Sequence, residues 1–168
     1  MADTIEKPGL DAGYDSDFYL WTQQQAELLR RAARDRINAP IDWENVAEEV
    51  ESLGRQDRRE IKRLVFDISV LLLMLKTSSR EEPRPSWRDR LQKQRYDLEL
   101  ILDDSPSLRK LLPDFLRTQW NTAVEEASAC FEGSHDSDAR GRLASVTAGE
   151  FSDKDILNDD FFPESLAH

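Results

Sequence analysis

Glu44, Glu48 and Glu51 recur at i, i+4 and i+7, a spacing that lines carboxylates along one side of a helix. An E-x-x-E pair such as Glu48 and Glu51, facing a second acidic pair, holds Mg²⁺ in all-helical nucleotide pyrophosphohydrolases, because Mg²⁺ prefers hard oxygen ligands and keeps several waters. The facing E-x-x-D is missing: Glu99 and Asp103 stand one residue too far apart, although that spacing still shares a face. A solvated or ion-paired acidic face is the better reading.

Other chemistry is thinner. His135 and His168 fall in an expected loop and at the terminus, and one Cys gives no zinc spacing. Cys130 is expected on or near an apolar helix face, which argues against a Cys130–His135 nucleophile pair. No Gly-rich phosphate loop occurs. The basic run Arg55 to Arg63 lacks interleaved aromatics and has Asp57 and Glu60 beside its cations, so intrahelical pairing explains it better than phosphate contact. The expected cofactors are none, and so are the expected metals.

Helices must position all of these groups. Asp15 or Ser16 can cap a first one, with Phe18, Trp21, Leu28, Leu29 and Ala32 at helical spacing, until Asn38-Ala39-Pro40 breaks it. Asp42 caps a second, with Trp43, Val46, Ala47, Val50 and Leu53 in one stripe, and Gly54 is expected to end or bend it. A third runs from Arg55 to Thr77 on Ile61, Leu64, Val65, Ile68, Leu71, Leu72 and Leu75. Its second half is apolar all round, through Phe66, Val70, Leu73 and Met74. Ser86 and Asp89 suggest the cap of a fourth, carrying Trp87, Leu91, Leu98, Ile101 and Leu102. Ser105-Pro106 restarts the chain, Pro113 kinks or starts a helix, and Phe115 to Phe131 carry a fifth long one. Residues 132–149 read as loop. Ser152 with Asp155 caps a last turn, and Phe161, Phe162 and Pro163 are expected to pin the tail.

The 168 residues suffice for one domain, 14–168, behind a loose leader, 1–13. No alternating segment occurs, so the expected class is all-α: a bundle of about five main helices plus a short C-terminal helical turn. The net charge of −11 opposes nucleic acid and anionic membranes. It is uneven, with twelve Lys/Arg against six Asp/Glu from Arg55 to Arg95, and nine Asp/Glu against three Lys/Arg from Glu132 onward. The lone Cys130, a start without signal-peptide character and no membrane-length apolar run lead to an expected cytoplasmic location.

Read together, Tyr14-Asp15-Ser16-Asp17-Phe18-Tyr19-Leu20-Trp21, the stretch Asp42 to Gly54 ending Glu-Glu-Val-Glu-Ser-Leu-Gly, Ser86-Trp87, Gln94-Arg95, Ser105-Pro106-Ser107-Leu108 and Leu157-Asn158-Asp159-Asp160-Phe161 resemble the bacterial family called "domain of unknown function 29". The resemblance spans nearly the whole chain. It implies an all-helical, stand-alone bacterial protein and brings no activity, substrate or cofactor. Many relatives carry a His and then a Trp near the end of the third helix, where this chain has Leu73 and Thr77.

Two groups of residues are singled out. Gln94 and Arg95 fall on or beside an apolar stripe, and a shielded guanidinium needs partners because it cannot shed its charge. Asn45 and Glu49 flank the Val46–Val50–Leu53 stripe. A buried cluster of Asn45, Glu49, Gln94 and Arg95, with Arg95 reaching Glu49, is therefore expected. Phe66, Val70 and Leu73, opposite the main stripe of their helix, form a candidate interface, covered by another helix or a second subunit. The function expected is a non-enzymatic helical interaction or self-associating module, as a homodimer or with a protein partner. The alternatives are a Mg²⁺-dependent nucleotide hydrolase and an antitoxin-like regulatory partner.

Overall fold

A computed structural model describes residues 13–35, 40–132, 136 and 138–167. Among the described residues six α-helices follow in order: α1 Phe18–Arg34, α2 Trp43–Thr77, α3 Arg84–Asp104, α4 Leu112–Cys130, α5 Ala139–Leu143 and α6 Asp153–Leu157. A 3-10 turn over Pro106–Leu111 links α3 to α4. No strand occurs among the described residues, so the all-helical class is as expected. His135, His168, most of the leader and Asn38-Ala39 lie outside the described residues.

The expected second and third helices are one helix of 35 residues. Gly54 does not end it; it is buried within it. A Cβ at Gly54 would lie 2.2 Å from Thr22 Oγ1 and 3.2 Å from Tyr19 Cδ2. The glycine therefore serves close approach of α1, at a cost in helix propensity of roughly 1 kcal/mol. Asp42 caps α2 as expected, its carboxylate accepting from Asn45 N–H at 3.3 Å.

The described chain clusters into two units, the first comprising Met1–Arg59 with Ile101–Leu108 and the second Glu60–Leu100 with Arg109–His168. In the first, Ala26 and Ala47 are fully buried, small residues that suit tight helix packing. Asp17, not Asp15 or Ser16, caps α1 by accepting from Leu20 N–H at 2.9 Å.

The second unit holds the larger apolar core. Ile61, Leu64, Val65, Ile68, Leu72 and Leu75 from α2 are fully enclosed, each stabilising the fold by about 1.5–3 kcal/mol. Leu91 and Leu98 from α3, with Phe115, Trp120, Ala123 and Ala127 from α4, are also buried. Pro113 sits in the first turn of α4, where its missing N–H costs nothing. The α2 C-terminus is closed by two guanidinium groups. Arg84 donates to Leu75 O and Ser78 O, and Arg142 to Thr77 O at 2.6 Å. Buried Asp136 accepts from the Ser78 hydroxyl, Ser79 N–H and Arg142. Ser152 and Asp155 form the expected capping box of α6.

Candidate functional site

The stretch that heads α2 has two sides. On one, Glu51 accepts from Arg30 of α1 and pairs with Arg55 at 3.3 Å, while Ala47 and Gly54 are buried. On the other, Trp43, Val46, Val50 and Leu53 follow 3-4-3 spacing, the spacing of a helix–helix seam. Val46 and Leu53 are 41% and 46% exposed, and Ile41 just before the helix 45%. Val50 is half-buried. Val46, Val50 and Leu53 line a shallow groove of about 320 Å³ whose lip carries Asn45 and Glu49. Asn45 is tied to Asp42 by a 2.6 Å bond from its amide. Glu49 makes no ion pair among the described residues.

The expected four-residue buried cluster is corrected by this geometry. Asn45 and Glu49 are exposed, and only Arg95 is buried. Its donors are taken by backbone carbonyls: Nε by Ile156 O at 2.9 Å, Nη2 by Asp155 O at 2.8 Å and Phe161 O at 3.0 Å, and Nη1 by Asp159 O at 3.4 Å. The guanidinium also lies 5.8 Å from the Phe162 ring centre, with Arg88 at 5.0 Å. Burial pushes the Arg95 pKa down, against the pull of Asp159 and Asp155. Gln94 is half-buried, and its Oε1 has no donor among the described residues.

Of the candidate interface, two positions are covered within the chain itself, one of the two coverings expected for it. Leu73 is fully buried and Val70 nearly so within one chain, while Phe66 keeps partial exposure. The apolar surplus on α2 is core, and the open apolar surface lies one helix-half earlier. Of the acidic positions, Glu48 is exposed, Glu51 is held by Arg30 and Arg55, and Glu99 pairs with Arg109 at 2.6 Å. Among the described residues no group of three or more His, Cys, Asp or Glu gathers where a metal ion could sit. Cys130 is exposed at the end of α4, not on its apolar face as expected.

Two features were not read from the sequence. Ser105 accepts from Tyr19 N–H at 3.1 Å and donates to Asp57 at 3.2 Å. The Asp57 carboxyl is pushed up by burial, against the Ser105 hydroxyl and with the help of Asp104. Beside it, Tyr14, Asp15, Phe18 and Asp104 line a cleft of about 360 Å³. The residues were visible as motif fragments; their partners were not.

No described helix is long and apolar enough to cross a membrane. No curated protein matches the sequence. The fold is similar to the crystal structure of an α-helical protein of unknown function from Rhodospirillum rubrum, at 28% identity and a TM-score of 0.73, over 89% of this chain and 92% of that one. The motif fragments thus meet in pairs that fix backbone, Tyr14–Trp21 with Ser105–Leu108 and Arg95 with Leu157–Phe161. The sequence profile described as "Domain of unknown function DUF29" matches over residues 13–162, a span holding all of these fragments, and the chain belongs to that family.

Proposed function

We propose that this chain is a non-enzymatic helical interaction module that docks an amphipathic helix of a partner protein on the Trp43–Leu53 face of α2. The observation that carries this reading is the exposed seam of Val46 and Leu53 around half-buried Val50, spaced to receive a second helix. Asp42 and Glu49 flank the seam on one side, so the complementary helix carries Lys or Arg beside its apolar stripe. The chain's net charge of −11 favours such a partner over a second copy of itself. A bacterial, cytoplasmic setting belongs to the same reading, supported by the single cysteine and the bacterial relative.

The test uses a synthetic helix with leucines at 3-4 spacing and lysines beside them, against a scrambled peptide of equal composition. Fluorescence anisotropy should show saturable binding that Val46→Asp or Leu53→Asp weakens by about tenfold or more. Glu49→Lys should weaken it less, and by removing its salt dependence. Equal binding of the scrambled peptide, or indifference to both Asp variants, would overturn the proposal. Light scattering that finds a dimer broken by Val46→Asp would replace the partner helix with a second copy.

A further inference from the structure

Residues 158–167, in the other unit, lie along the molecule without entering its core. They carry no helix or strand, and only Pro163 among them is buried. Their attachments are mostly main-chain. Arg95 of α3 donates to Asp159 O at 3.4 Å and to Phe161 O at 3.0 Å. At the end of α2, the Leu166 N–H donates to Lys76 O at 2.8 Å and the Ser165 hydroxyl to Ser78 O at 2.9 Å. Two side chains add selectivity. The Phe162 ring lies 5.0 Å from the Arg88 guanidinium and 5.8 Å from that of Arg95, within cation–π range of both. Pro163, enclosed next to it, has no N–H to leave stranded.

A segment with so few enclosed side chains opens locally, well below the cost of global unfolding. The other two carbonyls on Arg95, Asp155 O and Ile156 O, belong to α6, and Ile156 is fully buried. Opening beyond Leu157 therefore leaves α6 in place and takes two of the four acceptors from Arg95. Its guanidinium cannot shed its charge, so it demands replacements. The opened face offers donors from Arg88 and Arg95 and acceptors at Lys76 O and Ser78 O. An extended backbone, with an N–H and a C=O at nearly every residue, complements that set.

We propose that the end of α2, with Arg88 and Arg95 of α3, is a groove for an extended peptide of a partner protein that carries an aromatic–proline pair. Residues 158–167 hold it as an intramolecular competitor. Main-chain bonds give such a groove its affinity and side-chain pockets its choice of sequence. The tethered segment competes at an effective concentration on the order of millimolar, so only a partner that binds better displaces it. This groove shares no residue with the α2 face from Trp43 to Leu53 and belongs to the other unit.

A fluorescent peptide with the sequence of residues 158–167 tests it by anisotropy. The full chain carrying Phe162→Ala and Pro163→Ala, whose own segment is loosened, should bind the peptide saturably and at least about tenfold more tightly than the unaltered chain does. A peptide bearing the same two alanines should bind about tenfold more weakly. Arg88→Ala, made at an exposed position in the loosened chain, should weaken binding about threefold or more. Absence of saturable binding, equal binding of the two peptides, or indifference to Arg88→Ala would overturn the proposal. If the loosened chain does not fold, the unaltered chain decides by nuclear magnetic resonance. Peptide on the order of millimolar should then shift the Leu166 amide signal, and an unmoved signal would overturn the groove.

Discussion

Asp17 and Ser107, ninety residues apart, are joined by two hydrogen bonds: the Asp17 carboxylate accepts from the Ser107 N–H at 2.7 Å and from its hydroxyl at 3.0 Å. The same carboxylate caps α1 through Leu20 N–H. One side chain therefore starts a helix and fixes a distant turn. Asp17→Ala should cost about 2–4 kcal/mol, from a lost cap and an N–H left without its acceptor. Chemical denaturation measures it, and the Leu20 and Ser107 amides should both lose protection from hydrogen exchange. Loss at Leu20 alone would mean that the long-range bonds contribute nothing.

Arg95 should be as sensitive. Arg95→Met takes the donor from buried Ile156 O and from three part-buried carbonyls, and the expected loss is about 3–5 kcal/mol. Arg95→Lys should recover little, because an ammonium cannot span the carbonyl set that the planar fork reaches. Glu49→Ala should change stability by no more than about 0.5 kcal/mol, as an exposed side chain does. Comparable losses in Arg95→Met and Glu49→Ala, read by thermal melting, would contradict this assignment.

Gly54→Ala should destabilise even though alanine is the better helix former. The added methyl would stand 2.2 Å from Thr22 Oγ1, which is held by its bond to Tyr19 O at 2.7 Å. Overpacking of this kind costs about 1–3 kcal/mol, more than the roughly 1 kcal/mol of propensity gained. Thr22→Ala made together with Gly54→Ala should restore most of the loss, and a double mutant no better than the single one would point to another cause.

The Asp136 carboxyl gives a pH signature. Burial raises its pKa, but the Ser79 N–H, the Ser78 hydroxyl and the Arg142 guanidinium outweigh burial and lower it. A carboxyl lowered in the folded state stabilises above its unfolded pKa of about 3.9, and that contribution fades as pH falls through the folded value. Asp136→Asn should therefore cost about 1–3 kcal/mol at neutral pH, with the gap to wild type shrinking below about pH 4. Urea titrations at several pH values test this. A gap that widens on acidification would reverse the sign of the shift.

The helical segments were legible in the sequence because apolar spacing reports the buried face directly. The stripe from Ile61 to Leu75 and the α6 capping box needed nothing else. Gly54 misled because a glycine that stops a helix and a glycine that admits a neighbour look alike in one dimension; only Thr22 at its side distinguishes them. The sequence shows that Arg95 needs partners, and it has them. They are main-chain carbonyls, which every residue carries and no sequence advertises, so a carboxylate was the natural but wrong expectation. Val46 and Leu53 share helical spacing with the core residues, so periodicity alone could not say that their stripe faces outward.

The Arg95 clasp also sets an order of manufacture. The ribosome releases the arginine about sixty residues before the carbonyls of Asp155, Ile156 and Phe161 that it needs. At roughly 5–20 residues per second, several seconds separate the two. Throughout that interval a guanidinium destined for the interior must stay hydrated, and the face of α3 that carries it stays uncovered. Completion of the second unit is thus postponed to the synthesis of residues 155–161. A nascent chain stalled before them leaves Arg95 without any of its four carbonyl partners.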